Sequence, residues 1–125
     1  MATGNNFIKN RLKSFGYAFK GFLFLIQNEA NFQVQIVIAI VAIILGFVFD
    51  ISLIEWFAQL IAIAMVLVAE SFNTSIEKMA DFVHKDDHPE IGKIKDLSAA
   101  ACLIISVFAL VIGVLLYLPK IIPFL

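Results

Sequence analysis

Charge and cysteine are both scarce in this chain, and each scarcity closes off a class of protein. Only 15% of the 125 residues are Asp, Glu, Lys or Arg, against 62% hydrophobic residues and a mean hydropathy of +0.97. A soluble globule carries about 25% charged residues, so an integral membrane protein is expected here. The one cysteine, Cys102, has no partner for an intrachain disulfide and sits in an apolar run, where it reads as a small packing residue. Neither a Walker A pattern nor the Gly-rich loop of soluble kinases is present. There are no internal repeats and no low-complexity segment, and the N-terminal region lacks the compact apolar core of a cleavable signal. No nucleic-acid partner is expected.

The charges that remain are placed asymmetrically. Lys9, Arg11, Lys13 and Lys20 precede the first long apolar run, and Lys78, Lys85, Lys93 and Lys95 surround a later loop. Segment 49–55 carries only Asp50 and Glu55. By the positive-inside rule the N-terminus and the later loop face the cytoplasm, while segment 49–55 and the C-terminus lie outside. Residues 7–27 read as an amphipathic helix. Phe7, Ile8, Leu12, Phe15, Phe19, Phe22, Leu23 and Ile26 share one side and Lys9, Lys13 and Lys20 the other, as suits a helix lying among lipid headgroups. Arg11 sits near the apolar edge, placed to snorkel or to reach a ligand. Membrane helices are expected at 32–49, 53–83 and 97–118. Pro89 and Gly92 are expected to break any helix between the last two, and Pro119 and Pro123 to end the third. The expected fold is an all-α membrane protein, one surface helix and three spans in a single domain, 1–125.

Against this apolar background one stretch stands out, VAESFNTSIEKMAD from Val68 to Asp81. Glu70, Asn73, Glu77 and Asp81 are spaced three, four and four apart, which puts them on one helical stripe about 16 Å long. Acids at membrane depth are costly and usually face a protein interior or wet cavity for a functional reason. Phosphoryl transfer fits them best. It needs carboxylates to hold a divalent cation on phosphates, a base for the attacking hydroxyl, and cations against developing charge. Glu29 and Glu77 can serve as the metal ligands if the start of the first span lies against the second helix. Glu70, two turns deeper, suits a general base acting on a lipid hydroxyl. Asp86, Asp87, His88, Lys95 and Asp96 lie where a soluble nucleotide would arrive. Plainer readings stand beside these. Glu77 with Lys78, or Asp81 with Lys85, can form interfacial ion pairs, and Asn73 an interhelical hydrogen bond. His84 and His88 have a zinc-like spacing, but Pro89 disturbs it and a solvated loop is expected. A non-enzymatic membrane subunit or an ion or proton conduit would also explain buried acids.

AESFNTSIEKMAD resembles the signature of the small prokaryotic diacylglycerol kinase family, which includes the undecaprenol kinases. GYAFKG (Gly16 to Gly21), NEANF (Asn28 to Phe32) and IKDLSAAACLI (Ile94 to Ile104) agree in order and spacing. The resemblance implies a homotrimer with active sites between subunits, in the bacterial cytoplasmic membrane. It implies transfer of the ATP γ-phosphate to a lipid hydroxyl with Mg²⁺. By motif, Glu70 resembles the catalytic base and Glu29 and Glu77 the metal ligands. Tyr17, Lys95, Asp96 and the Asp86–His88 loop fall where the family binds nucleotide, and Asn73 and Asp81 support the signature helix. Two positions depart from the pattern. Gln35 stands where an acid or a histidine is common, and Asn10 and Arg11 leave the register of the usual surface-helix arginine open. The Lys95–Asp96 block lies between the diacylglycerol and undecaprenol forms and His88-Pro89 leans to the latter, so the resemblance leaves the lipid open.

Overall fold

A computed structural model describes residues 4–125, which form four α-helices and a final 3₁₀ turn with no strand among them. The first helix, α1 (Gly4–Asn28), is exposed almost throughout and buries no residue. It ends at Glu29, whose backbone is extended (φ −108°, ψ 108°). Side-chain amides bond carbonyls beside this break, that of Ile26 being one the helical ladder no longer reaches. Asn28 Nδ2 donates to the Phe24 carbonyl at 3.0 Å and Gln33 Nε2 to that of Ile26 at 2.7 Å. The helix is held to the rest by Phe22, edge-on to the fully buried Phe32 at 5.9 Å, and by Phe24, with the Lys78 ammonium 4.5 Å from its ring centroid.

The second helix, α2 (Ala30–Val48), begins directly after that single-residue break, so the gap between the helices expected at 7–27 and 32–49 shrinks to Glu29. It stops at Phe49 and Asp50. Asp50 takes a left-handed φ of 48°, a conformation its short polar side chain tolerates, and the Ile51 amide returns to the Gly46 carbonyl. The third helix, α3 (Leu53–Val83), opens with a capping box. The Glu55 amide donates to Ser52 Oγ at 3.2 Å and the Ser52 amide to Glu55 Oε1 at 3.0 Å. Its 31 residues give about 46 Å at 1.5 Å per residue. A hydrocarbon core is about 30 Å thick, so one end must project.

The fourth helix corrects an expectation. α4 spans Pro89–Ile121, far longer than the predicted third span, and neither Pro89 nor Gly92 breaks it. Pro89 occupies the first helical position, where its missing N–H has no partner to lose, and the Gly92 amide bonds the His88 carbonyl at 2.9 Å. Nor does Pro119 end it, since the helix continues to Ile121 before the turn Ile122–Phe124. In the last turn Lys120 Nζ donates to the Leu116 carbonyl at 3.0 Å. α2, α3 and α4 are each long and apolar enough to cross a membrane.

Both α2 and α4 pack on α3, and α4 does so along most of its length. At the end carrying the α2–α3 turn, hereafter the turn end, Gly46 of α2 meets Trp56 of α3. A Cβ at Gly46 would lie 2.6 Å from Trp56 Cη2, so only glycine permits this approach. One turn away, the Tyr117 hydroxyl of α4 reaches the Ala42 carbonyl at 2.9 Å and the Gln59 amide oxygen. Lys120 pairs with Glu55 across α4 and α3. Three helices are thus tied together at this end.

Candidate functional site

The opposite, loop end holds the acidic stripe, and burial along it falls from one residue to the next. Glu70 is 4% exposed, Asn73 7%, Glu77 is half-buried and Asp81 open. Gln35 Nε2 of α2 donates to Glu70 Oε2 at 3.5 Å, the outer limit of a hydrogen bond. From the other side the Cys102 thiol of α4 lies against the same carboxylate. Glu70 therefore sits where three helices meet, and no ion pair among the described residues includes it. A carboxylate buried without a cation is costly.

One turn on, Asn73 Nδ2 donates to Glu77 Oε1 at 3.3 Å within α3, so its bond is intrahelical rather than interhelical. Among the described residues its Oδ1 has no partner, nor has the buried Thr74 hydroxyl. Ser98 of α4 is buried as well. Glu29 stands at the head of α2 in the N-cap position but makes no capping bond, and among the described residues no ion pair includes its carboxylate. Among the described residues no three His, Cys, Asp or Glu converge as a metal-holding group. Two carboxylates are nonetheless what Mg²⁺ commonly takes from protein, the other positions going to phosphates and water. Glu29, uncommitted, and Glu77, held by one long amide contact, fit that donor set.

Beyond Asp81 a pocket of about 350 Å³ opens between the ends of α3 and α4, lined by Asp81, His84, Lys85, Asp86, Asp87, His88 and Lys95 among others. Asp81 pairs with Lys95 of α4 at 2.5 Å, not with Lys85. The helical i,i+4 pair cannot form, because α3 ends at Val83 and Lys85 lies beyond it. Lys95 precedes the apolar part of α4, and the Asp81 carboxylate raises its pKa above the usual lysine value, with Glu77 and Asp87 adding to the effect. Lys78 makes no ion pair with Glu77; it sits over Phe24.

His84 and His88 lie in the link rather than on a helix, their rings 5.1 Å apart. His84 Nδ1 meets the Asp86 carbonyl at 2.7 Å, while His88 Nδ1 accepts the Glu90 amide at 3.1 Å and caps α4. A capping His88 carries its proton on Nε2, so that nitrogen has no lone pair for zinc while the cap holds. Tyr17 is 68% exposed on α1, its ring 5.8 Å from Lys20 Nζ, and neither it nor Asp96 lines the pocket. Sequence reasoning missed the Gln35–Glu70 contact and the burial of Thr74. The family pattern drew attention to Gln35 as a departure, but a neutral amide carries no charge by which to name its partner.

The described residues thus hold a buried carboxylate between three long apolar helices and, about three turns further along α3, a charged pocket at the helix ends, features a membrane phosphotransferase with an apolar acceptor and a soluble donor would need. Comparison with known proteins agrees. The family model for prokaryotic diacylglycerol kinase matches residues 16–117, and the chain belongs to that family. It is similar to the undecaprenol kinase of Bacillus subtilis (strain 168), 33% identical over 115 residues that cover 92% of this chain and 94% of the relative. Similarity extends to the diacylglycerol kinase of Escherichia coli (strain K12), 27% identical over 89% of this chain and 91% of that protein. The diacylglycerol kinase of Pseudomonas aeruginosa is 31% identical over 78% of the chain and 80% of the relative. The protein is a lipid kinase and uses ATP, and the conduit reading falls away.

Proposed function

We propose that this kinase transfers the ATP γ-phosphate to the hydroxyl of diacylglycerol or undecaprenol at Glu70, the observation that carries the reading being a buried carboxylate with no cation beside it. Glu70 accepts the hydroxyl proton as the alcohol oxygen attacks. Asn73 fixes Glu77 one turn away. Glu29 and Glu77 would hold Mg²⁺, which when bound neutralises charge on the transferring phosphates. The Asp86–His88 link and Lys95 form the nucleotide side of the site, with Tyr17 and Asp96 completing it from α1 and α4. The enzyme works as a homotrimer with sites between subunits, which would bring Tyr17 and Asp96 to a neighbour's pocket. It lies in the bacterial cytoplasmic membrane with its N-terminus and loop end inside and its turn end and C-terminus outside, since the cations cluster at the loop end.

Membranes containing the protein, given γ-labelled ATP and either alcohol, should yield a chloroform-soluble labelled product that Glu70→Gln membranes do not. Label entering neither alcohol would remove both proposed substrates. Labelling of a cysteine at Lys85 from the outer face, on a Cys102-free background, would reverse the topology.

A further inference from the structure

Glu70 is held from outside its own helix. The polar side chains that α3 sets three and four residues beyond it, where helical neighbours meet, are those of Asn73 and Thr74. Asn73 Nδ2 is given to Glu77, and Thr74 Oγ1 has no partner among the described residues. The groups that reach the Glu70 carboxylate come instead from the flanking helices, the Gln35 amide of α2 and the Cys102 thiol of α4. Both are uncharged, and the thiol is the weaker donor of the two. A lysine or arginine would grip the carboxylate harder, but an opposite charge favours the ionised form and so opposes the proton uptake a base must perform. Neutral donors aim the group without that opposition.

The two side chains themselves argue for this use. Beyond Gln35 every residue of α2 is apolar or glycine. Gln35 Oε1 is buried without a partner among the described residues, a costly state that a methionine of similar length would avoid. What the amide alone supplies is the N–H on Glu70. Cys102 is half-buried between Ala101 and Leu103, a place that valine would fill as well, and what the thiol adds is again a donor. Aim matters here, because a reacting group displaced by about 1 Å can lose roughly 10²-fold in rate. We propose that Gln35 and Cys102 are positioning residues that together direct the Glu70 carboxylate at the reacting hydroxyl, so that the aim of the base is set by how α2 and α4 sit against α3. The proposal rests on the reading of Glu70 given above.

The full chain in lipid bicelles gives two readouts. Cys102 is the sole cysteine, so the infrared S–H stretching band has a single source. Donation to a carboxylate weakens the S–H bond, and the band should move to higher wavenumber when Glu70→Gln makes the acceptor neutral. The second readout is turnover at saturating alcohol. Gln35→Met should lower kcat toward the ~10²-fold that a displacement of about 1 Å costs. KM for ATP should stay, because the nucleotide side lies about three turns further along α3. Gln35→Glu has the same shape without the donor; it should fall likewise, and it serves where Gln35→Met does not assemble. Cys102→Val keeps the volume and loses the donor, while Cys102→Ser keeps a donor. Packing alone would favour valine, whereas positioning favours serine, so kcat should stay near wild type in Cys102→Ser and drop in Cys102→Val. An unmoved band in Glu70→Gln, wild-type kcat in the Gln35 variants, or Cys102→Val as active as Cys102→Ser overturns the proposal. The two readings fail separately. A Glu70→Gln enzyme that keeps its rate removes the base reading, whereas an inactive Glu70→Gln with an unmoved band removes this proposal alone.

Discussion

At the turn end, Tyr117, Gln59 and the Ala42 carbonyl join three helices, Lys120 meets Glu55, and Ser52 and Glu55 cap each other. At the loop end the contacts are long and incomplete. Gln35 reaches Glu70 at 3.5 Å and Asn73 reaches Glu77 at 3.3 Å. Among the described residues Gln35 Oε1, Asn73 Oδ1 and Thr74 Oγ1 are buried there without partners and Glu29 caps nothing, against one such atom, Gln59 Nε2, at the turn end. An unpaired buried polar group costs about 1–3 kcal/mol, so the loop end carries a destabilising load that the turn end offsets. Polar atoms without protein partners are those free to meet substrate, metal or a neighbouring subunit. The molecule is held at one end and works at the other.

Substitutions can break this comparison on either side. The largest effect is expected at Glu70→Gln, which keeps the shape and removes the base. Turnover should fall 10²–10⁴-fold in a steady-state assay, with nucleotide affinity little changed. Next come Glu29→Gln and Glu77→Gln. Each should raise the Mg²⁺ concentration needed for half-maximal rate and lower the rate severely; a variant with wild-type Mg²⁺ dependence would return that residue to structure. Turn-end changes should act on stability instead. Gly46→Ala forces a methyl group against Trp56 and should destabilise by about 1–3 kcal/mol, read in denaturant or thermal unfolding in detergent. Tyr117→Phe removes one hydroxyl from the three-helix tie and should cost about 1 kcal/mol. The smallest effect is expected at Lys120→Gln, a stability loss that shrinks as salt is added.

Much of this contrast was legible in the residues. The stripe Glu70, Asn73, Glu77 and Asp81 could be read because helical spacing and membrane depth both act on it, while its burial gradient depends on how far α2 and α4 cover α3. The motif made the family legible as well. Other features depended on backbone choices that sequence does not display. Pro89 looks like a breaker in one register and is a good first residue in another, and the register is set by His88 capping α4. The Asp81–Lys95 pair needed the length of that helix to be known. Gln35 and Gln59 were hardest to read, since an uncharged amide in an apolar run looks incidental until the neighbouring helix is placed.

The division between a holding end and a working end is tested most directly by measuring turnover and thermal unfolding together on Glu70→Gln and Tyr117→Phe. Glu70→Gln should lose at least 10²-fold in rate while melting at or above the wild-type temperature, because a buried acid becomes a neutral amide. Tyr117→Phe should melt lower and keep a rate close to wild type. If Glu70→Gln instead melted lower with more than about a tenth of the rate retained, Glu70 would be an interhelical anchor and the account would be wrong.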